Sequence, residues 1–167
     1  LDKMTYAADF RNIENLLHNN AIQLVVGDIC DYDFCLKQVE NCDLVIHAAA
    51  ESHVDNSFHS SLLFTKTNVL GTHTVIETCR EAAVPRIIHV STDEVYGEIT
   101  EGAVDESMPL NPTNPYSASK AAADIIINGY IHSFGIPVIL VRANNVFGAR
   151  QYPEKLIPRC CMALIQG

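Results

Sequence analysis

The sequence predicts a doubly wound α/β fold, in which helices cover a sheet of parallel strands. Short apolar runs rich in Val and Ile alternate along the chain with longer segments whose apolar residues recur every three or four positions. This alternation is typical of successive β-α-β units. The apolar runs are nearly continuous, as expected for strands that are buried on both faces.

Four strands and four crossover helices follow from this pattern. The strands are predicted at residues 22–26, 44–47, 86–90 and 138–141. The helices are predicted at residues 9–19, 32–41, 60–81 and 117–134. Residues 97–115 are rich in Gly, Pro, Asn and Asp and predict a long surface loop.

The composition disfavours two kinds of partner. The chain has 167 residues, a formal net charge of -9 and no run of Lys or Arg, so no nucleic-acid partner is expected. Its longest apolar runs have the length of strands, far below the roughly 20 residues that cross a bilayer, so no membrane segment is expected. None of the six cysteines forms a Cys-x-x-Cys motif or a metal-ligand spacing with His, which favours thiols in the reducing cytoplasm.

The start of the chain lacks an element that a dinucleotide-binding fold normally has. Such a fold opens with a strand, a glycine-rich turn and a helix whose N-terminus holds the pyrophosphate. The eight glycines here are scattered, and Leu1-Asp2 resembles the end of a second strand, where an acidic side chain binds the adenine ribose. We therefore expect one β-α unit upstream of Leu1, and no targeting segment is recognisable at this end.

Tyr116 and Lys120 form the first candidate catalytic pair. They lie four residues apart and follow Pro115, which suits the first turn of a helix, so both side chains project from one helical face. A nearby ammonium group favours the phenolate, as does a positive nicotinamide ring, so we expect the pKa of Tyr116 to fall from about 10 towards neutrality. Such a Tyr can act as a base for a hydroxyl group. Taken alone, the spacing is more often that of a solvated helix face.

Three polar residues follow the predicted strand 86–90. They are Thr92, Asp93 and Glu94, within Ser91-Thr92-Asp93-Glu94-Val95-Tyr96-Gly97. Doubly wound sheets bind their ligands at the carboxyl ends of the strands, so these side chains are expected where a substrate binds. On composition alone, the adjacent carboxyl groups would more often be a solvated pair.

These two motifs together resemble those of the dTDP-glucose 4,6-dehydratase family of extended short-chain dehydrogenases. Its motifs are matched by residues 91–97 and by Pro115-Tyr116-Ser117-Ala118-Ser119-Lys120, with further matches in residues 1–6, 27–31, 47–55 and 152–158. The resemblance covers essentially the whole chain. The chain is also similar to the dehydratase part of plant-type rhamnose synthases, which act on UDP-glucose.

The resemblance implies a Rossmann-like fold and an NAD-dependent 4,6-dehydration of a nucleotide-diphosphate glucose. The fold is incomplete here, because the family's first β-α unit and C-terminal substrate region are absent from residues 1–167. The favoured substrate is dTDP-glucose, with UDP-glucose as the second candidate, and the product is the 4-keto-6-deoxy sugar.

The resemblance also gives each candidate catalytic residue a role. Tyr116 would take the 4-hydroxyl proton, Glu94 would remove the C5 proton, and Asp93 would protonate the departing 6-hydroxyl. Thr92 would hydrogen-bond the oxygen at C4. Lys120 would also hold the nicotinamide ribose.

Two sets of binding residues are implied as well. NAD contacts are expected at Asp2, Lys3, Thr5, Asp28, Ile29, Ala48, Ala49, Ala50, Thr67, Tyr116, Lys120 and Val146. Substrate contacts are expected at Ser52, Thr92, Asn145, Glu154, Lys155 and Leu156. Without the resemblance, the three alanines would fit tight packing at a strand end equally well, and Lys155 would fit an ordinary surface lysine. No metal is expected, because His47 ends a strand and His53 lacks a suitably spaced partner.

Two alternatives to the dehydratase stay open. Related UDP-sugar epimerases and decarboxylases usually lack the adjacent Asp-Glu after Thr, since they expel no 6-hydroxyl. Residues 1–167 are expected to be one partial NAD-binding domain, and such a piece could instead be a catalytically silent fragment or pseudoenzyme that acts by association. The resemblance further implies a homodimer formed through residues 60–81 and 117–134.

Overall fold

The computed structural model describes all 167 residues, which divide into two compact units. The central unit comprises Asp28–Asn144, and the terminal unit comprises Leu1–Gly27 with Asn145–Gly167. No helix is both long enough and apolar enough to cross a membrane.

A three-stranded parallel sheet forms the middle of the central unit. Its strands are β1 (Val45–His47), β2 (Ile87–Thr92) and β3 (Val138–Ala143), in the spatial order β1-β2-β3. Val45 pairs with Ile87, and Ile87 pairs with Val138. The predicted α/β class is therefore confirmed, and three of the four predicted strands form within two residues of their predicted ends.

The helices are placed between and beside these strands. In chain order they are α1 (Glu14–His18), α2 (Tyr32–Val39), α3 (Val54–His59), α4 (Ser61–Phe64), α5 (Thr72–Glu81), α6 (Pro115–Phe134) and α7 (Leu156–Gln166). A π-helical turn, Thr65–Gly71, joins α4 to α5, and short 3-10 helices form at Phe10–Asn12 and Asp93–Tyr96. Helices α3 and α7 were not predicted from the sequence.

The main core lies between the sheet and one layer of helices. Helices α5 and α6 pack on the sheet, and α2 packs on α5. Ile76, Ile87 and Ile127 are at most 1% exposed in this core. The opposite face of the sheet is open, since Ile46 is 61% and Ile139 is 63% exposed. Within these residues, helices α5 and α6 pack on one face of the sheet.

Three predicted elements differ from the observed ones. Residues 22–26 form no strand, because their ladder is reduced to one parallel bridge between Asp2 and Val26. The predicted helix 9–19 is divided at Ile13, whose φ of -124° is not helical. The predicted helix 60–81 is helical throughout 61–81, but its middle is the π-helical turn.

Candidate active site

The N-terminus of α6 is fixed by a capping box that positions Tyr116. The Asn114 side chain accepts a hydrogen bond from the Ser117 amide at 2.8 Å, and the Asn114 amide donates to the Ser117 hydroxyl at 3.2 Å. Pro115 occupies the first turn, where its missing N–H is harmless. Tyr116 is therefore held in the first turn of the helix, with Lys120 one turn later.

The carboxyl end of β2 carries the second group of candidate residues. The Thr92 hydroxyl caps the 3-10 helix by accepting from the Glu94 amide at 3.3 Å, and it lies 3.2 Å from Asp93 Oδ1. Val95 is fully buried and packs in one small cluster with Ala121 of α6. The turn that carries Asp93 and Glu94 is thereby packed against the helix that carries Tyr116 and Lys120.

A direct side-chain contact joins the two motifs. Asn114 Nδ2 donates to Glu94 Oε2 at 3.3 Å. Thr92 also lies close enough to Tyr116 to act on the pKa of its phenol, which it lowers. The structure therefore places Thr92 and Glu94 at the end of β2 beside the first turn of α6, which carries Tyr116.

The ammonium group of Lys120 is directed into the protein. Its Nζ donates to the Val90 carbonyl oxygen at 2.7 Å, and the residue is 3% exposed. Burial lowers the pKa of Lys120 to about 8, while the nearby carboxylate of Asp124 opposes that change. Lys120 is therefore a cation at neutral pH that loses its proton at only slightly alkaline pH.

The expected fall in the pKa of Tyr116 does not arise from the protein groups alone. Burial raises the pKa of Tyr116, and the charges of Glu94 and Asp93 raise it further, whereas the hydrogen bond with Thr92 lowers it. Lys120 donates its hydrogen bond to Val90. The prediction that the ammonium group brings this phenol towards neutrality is therefore wrong for the chain by itself.

Several residues predicted to contact NAD lie at the ends of β1 and α2. Ala48, Ala49 and Ala50 directly follow β1, and the first two are exposed. Asp28 lies just before α2, and its carboxylate accepts from the Cys30 amide at 2.9 Å. Ile29 is 7% exposed, and its side chain packs in the main core.

Asn68 is a positioning residue that was missed from the sequence. It lies in the π-helical turn beside Thr67, and it is almost fully buried. Its amide group pairs with both backbone groups of Glu51, at 2.8 and 2.9 Å, and donates to the Ser119 hydroxyl at 2.9 Å. Asn68 thus connects the loop after Ala48–Ala50, which also carries the exposed Ser52, to the first turns of α6. An Asn inside a predicted helix was the available signal, since such a residue often bonds locally to backbone.

The terminal unit contains the remaining predicted site residues. The Asp2 carboxylate accepts from the Met4 amide at 2.6 Å, and the nearby Lys3 and Thr5 are exposed. The Tyr6 hydroxyl contacts both carboxylate oxygens of Glu154, at 3.0 and 3.1 Å. The other four predicted residues of this unit are Asn145 and Val146, which are exposed, and Lys155 and Leu156, which lie at the start of α7.

A groove of about 600 Å³ adjoins the Asp93–Tyr96 turn in the central unit. Asp93, Tyr96 and Arg142 contribute to its lining, but Glu94 and Tyr116 do not. The groove alone therefore does not include the whole candidate site. The chain also has no group of three or more His, Cys, Asp or Glu side chains placed to hold a metal ion.

Comparison with known proteins identifies the family. A family model described as GDP-mannose 4,6 dehydratase matches residues 1–167. The dTDP-D-glucose 4,6-dehydratase of Homo sapiens is 45% identical over 161 residues, which cover 95% of this chain and 46% of that protein. The chain belongs to the dTDP-glucose 4,6-dehydratase family.

A plant relative and a solved structure extend this result. The trifunctional UDP-glucose 4,6-dehydratase/UDP-4-keto-6-deoxy-D-glucose 3,5-epimerase/UDP-4-keto-L-rhamnose-reductase of Arabidopsis thaliana is 45% identical, over all of this chain and 26% of that protein. The dTDP-glucose 4,6-dehydratase DesIV from Streptomyces venezuelae, crystallised with NAD, has a TM-score of 0.96 and 42% identity, over 99% of this chain and 52% of that chain. This member of the dTDP-glucose 4,6-dehydratase family therefore has the predicted Rossmann-like fold, and it spans about half the length of the human relative.

Proposed function

We propose that the protein is an NAD-dependent 4,6-dehydratase of a nucleotide-diphosphate glucose. The observation that carries this proposal is the placement of Asp93 and Glu94 at the end of β2, on a turn joined to the first turn of α6 through Asn114. An oxidation at C4 needs a base such as Tyr116, but the loss of water also needs a C5 base and an acid for the 6-hydroxyl. The adjacent carboxyl groups provide that second pair.

The residues at the carboxyl end of β1 fit a bound NAD. Ala48–Ala50 are small residues at the carboxyl end of β1, where a parallel sheet binds a dinucleotide and where the absence of bulk allows close approach. We assign NAD contacts to these residues, to Thr67, Tyr116 and Lys120, and to Asp28 with Ile29. Asp2, Lys3, Thr5 and Val146 complete the assignment. We infer that residues 1–167 form part of the NAD-binding domain.

Tyr116, Glu94 and Asp93 each carry out a different proton transfer in the proposed reaction. When bound, NAD would supply an acceptor for the C4 hydride and a donor of that hydride to C6. Tyr116 takes the proton of the 4-hydroxyl as C4 becomes a ketone, and Thr92 hydrogen-bonds the C4 oxygen. Glu94 removes the acidified C5 proton, and Asp93 gives a proton to the 6-hydroxyl, which leaves as water. Glu94 returns its proton to C5 as the product forms. Tyr116 then releases its proton to solvent and Asp93 takes one up, so both residues regain their starting states.

The substrate assignment favours dTDP-glucose over UDP-glucose. Similarity to the human dTDP-glucose enzyme supports the first, and equal identity to the plant UDP-glucose enzyme keeps the second in the proposal. Substrate contacts are assigned to Ser52, Thr92, Asn145, Glu154, Lys155 and Leu156. Lys155 is suited to a diphosphate because its ammonium group is a point charge for phosphate oxygens.

A homodimer and a cytoplasmic location are part of the same proposal. Leu62 is 83% and Ile125 is 62% exposed, on the two helical segments assigned to the dimer interface, residues 60–81 and 117–134. Exposed apolar side chains of this size favour association. Buried free thiols at Cys35 and Cys79 fit a reducing compartment. Light scattering at micromolar concentration should give twice the mass of one chain, and a monomer would contradict the dimer.

Two substitutions test the catalytic assignment. In the protein at its full natural length, Asp93→Asn and Glu94→Gln should each abolish formation of the 4-keto-6-deoxy sugar while NAD binding, followed by fluorescence quenching or calorimetry, persists. Exposed Glu98→Gln is the matched control. Wild-type turnover in the double variant would contradict the assignment. Absence of any 4-keto product from both dTDP-glucose and UDP-glucose with the wild-type protein would favour the silent fragment or the epimerase class instead.

A further inference from the structure

Residues 111–114 return to the Asp93–Tyr96 turn just before helix α6 begins. The Asn111 amide donates to the Val95 carbonyl oxygen at 2.9 Å. The preceding Leu110 is half-buried and packs against the small cluster that contains the fully buried Val95. A backbone hydrogen bond and an apolar contact thus hold this returning segment against the turn.

Gly97 ends the turn at a point where the returning segment comes very close. Its φ of 80° and ψ of -158° lie in a region that is essentially restricted to glycine. Its amide donates to the Glu94 carbonyl oxygen at 3.1 Å, which closes the turn. A Cβ atom at Gly97 would overlap the Asn111 carbonyl oxygen and would lie 3.3 Å from the Asn111 carbonyl carbon. Glycine therefore allows both the conformation of the turn and the close approach of the other backbone.

Gly102, in the loop that joins the two segments, provides an internal comparison. Its φ of 79° is nearly the same, but a Cβ atom there would meet no atom within 4 Å. A side chain at either glycine would strain the backbone, whereas the overlap arises at Gly97. Because the overlapped atom belongs to the backbone, the overlap is relieved only if the turn and residues 111–114 move apart.

We propose that Gly97 is a positioning residue, whose missing side chain lets residues 111–114 hold the Asp93–Tyr96 turn in place for the elimination of water. This role rests on the proposed dehydratase function, because Asp93 and Glu94 are assigned to that step. Reacting groups that are displaced by a fraction of an ångström lose much of their rate advantage. Separation of the two segments should therefore slow the loss of water.

The oxidation at C4 should depend much less on this contact. Its base, Tyr116, lies on α6, whose capping box is formed between Asn114 and Ser117. The Tyr116 carbonyl oxygen also accepts from the Ser119 hydroxyl at 2.7 Å, and Ser119 in turn accepts from Asn68. The first turn of α6 therefore has anchoring contacts of its own, and transfer of hydride from C4 to NAD should continue when the Asp93–Tyr96 turn is displaced.

Two matched substitutions in the full-length protein test this role. With enzyme in excess over dTDP-glucose or UDP-glucose, the absorbance of NADH follows the oxidation, and mass spectrometry of the quenched sugar follows the loss of water. In Gly97→Ala, NADH should form at close to the wild-type rate, whereas loss of water should slow by at least about tenfold. Gly102→Ala should match the wild type in both steps. Equal slowing of both steps in Gly97→Ala, or no slowing, would overturn the proposal.

A second variant keeps the test decisive if Gly97→Ala does not fold. Leu110→Ala removes the apolar contact next to Asn111 and leaves Gly97 unstrained. It should slow the loss of water by about three- to tenfold, again with little change in the formation of NADH. The control is Leu36→Ala, which truncates a half-buried leucine of α2. Wild-type rates for both steps in Leu110→Ala would contradict the role of the returning segment.

Hydrogen exchange separates failure of this inference from failure of the proposed function. The Asn111 amide, which donates to Val95, should exchange about five- to tenfold faster in Gly97→Ala or Leu110→Ala, because that hydrogen bond is weakened. It should exchange at the wild-type rate in Gly102→Ala. If the wild-type protein made no keto sugar, the proposed function would fail. Unchanged exchange at Asn111 would overturn the present inference whether or not the sugar nucleotide reacts.

Discussion

Asn114 Nδ2 donates a hydrogen bond to Glu94 Oε2 across 3.3 Å, while the Asn114 oxygen caps helix α6 through the Ser117 amide. One side chain therefore fixes the start of the helix that carries Tyr116 and also orients the proposed C5 base. Asp93 makes no hydrogen bond with Asn114. The two adjacent carboxyl groups are thus held differently, which fits the different roles proposed for them.

Replacement of Asn114 should separate capping from catalysis. Asn114→Ser keeps a good capping residue but removes the donor to Glu94, so kcat should fall about three- to tenfold, as expected for one hydrogen bond. The melting temperature should change little. Asn114→Ala removes both roles and should cost about 1 kcal/mol of the free energy of unfolding in addition. Steady-state kinetics with thermal melts measure both, and a serine variant with wild-type kcat would contradict the role of this contact.

Loss of Asn68 should be more damaging than loss of its partner Ser119. Asn68→Ala leaves both backbone groups of Glu51 and the Ser119 hydroxyl without this partner, which should cost about 3 kcal/mol of the free energy of unfolding. Ser119→Ala removes one of these bonds and should cost about 1 kcal/mol. Urea unfolding of the two variants gives the comparison. Equal destabilisation would show that Asn68 does not hold the Glu51 loop.

Gly71 should not tolerate a side chain, although it lies in a helical segment. A Cβ atom there would lie 2.5 Å from Ile29 Cδ1 and 2.7 Å from Ile29 Cγ1. Gly71→Ala should therefore destabilise the protein by about 1–3 kcal/mol, since overpacking outweighs the better helix propensity of Ala. Adding Ile29→Ala should make the Gly71 substitution nearly harmless. A double-mutant cycle with no coupling between the two sites would contradict this packing.

The buried histidines should make stability fall in mild acid. His47 and His89 have pKa values lowered by burial to about 3 and about 2, so they stay neutral in the folded protein while unfolded histidines protonate below about pH 6.5. Their contribution to stability is present above that pH and is lost as the pH falls. Each should reduce the free energy of unfolding by about 1 kcal/mol per pH unit between about pH 6 and 5.

Urea unfolding across that pH range measures the effect. His89→Leu should remove about half of the slope, because the leucine side chain has no proton to bind in the unfolded state. A free energy of unfolding that is constant between about pH 6.5 and 5 would show that the two imidazoles are accessible to protons in the folded protein.

The sequence was most informative where a residue's role depends on local spacing. Tyr116 and Lys120 share a helical face because of their spacing of four, and Pro115 with Asn114 marks the start of that helix. The three strands of the sheet were likewise visible as apolar runs. Residues 22–26 look the same in sequence, but a strand requires a paired neighbour, and only Val26 has a bridge.

Roles that depend on distant residues were not predictable in the same way. The positioning role of Asn68 becomes apparent only in the folded structure, because its hydrogen-bond partners Glu51 and Ser119 lie far away in sequence. The pKa of Tyr116 shifts upwards because the residue is buried, and burial cannot be deduced from the spacing of residues in the sequence. Asp124 lies one turn after Lys120, but its ion pair with Arg142 forms only because α6 packs beside β3.

The fate of the hydrogen at C4 tests the central proposal most directly. The full-length protein is incubated with dTDP-glucose or UDP-glucose that carries deuterium at C4, and the product is analysed by mass spectrometry and NMR. A 4,6-dehydratase moves this hydrogen as hydride and delivers it to C6, so the account predicts a 4-keto-6-deoxy sugar with deuterium in its methyl group. Deuterium retained at C4 of a sugar that keeps its 6-hydroxyl would contradict the account and indicate an epimerase.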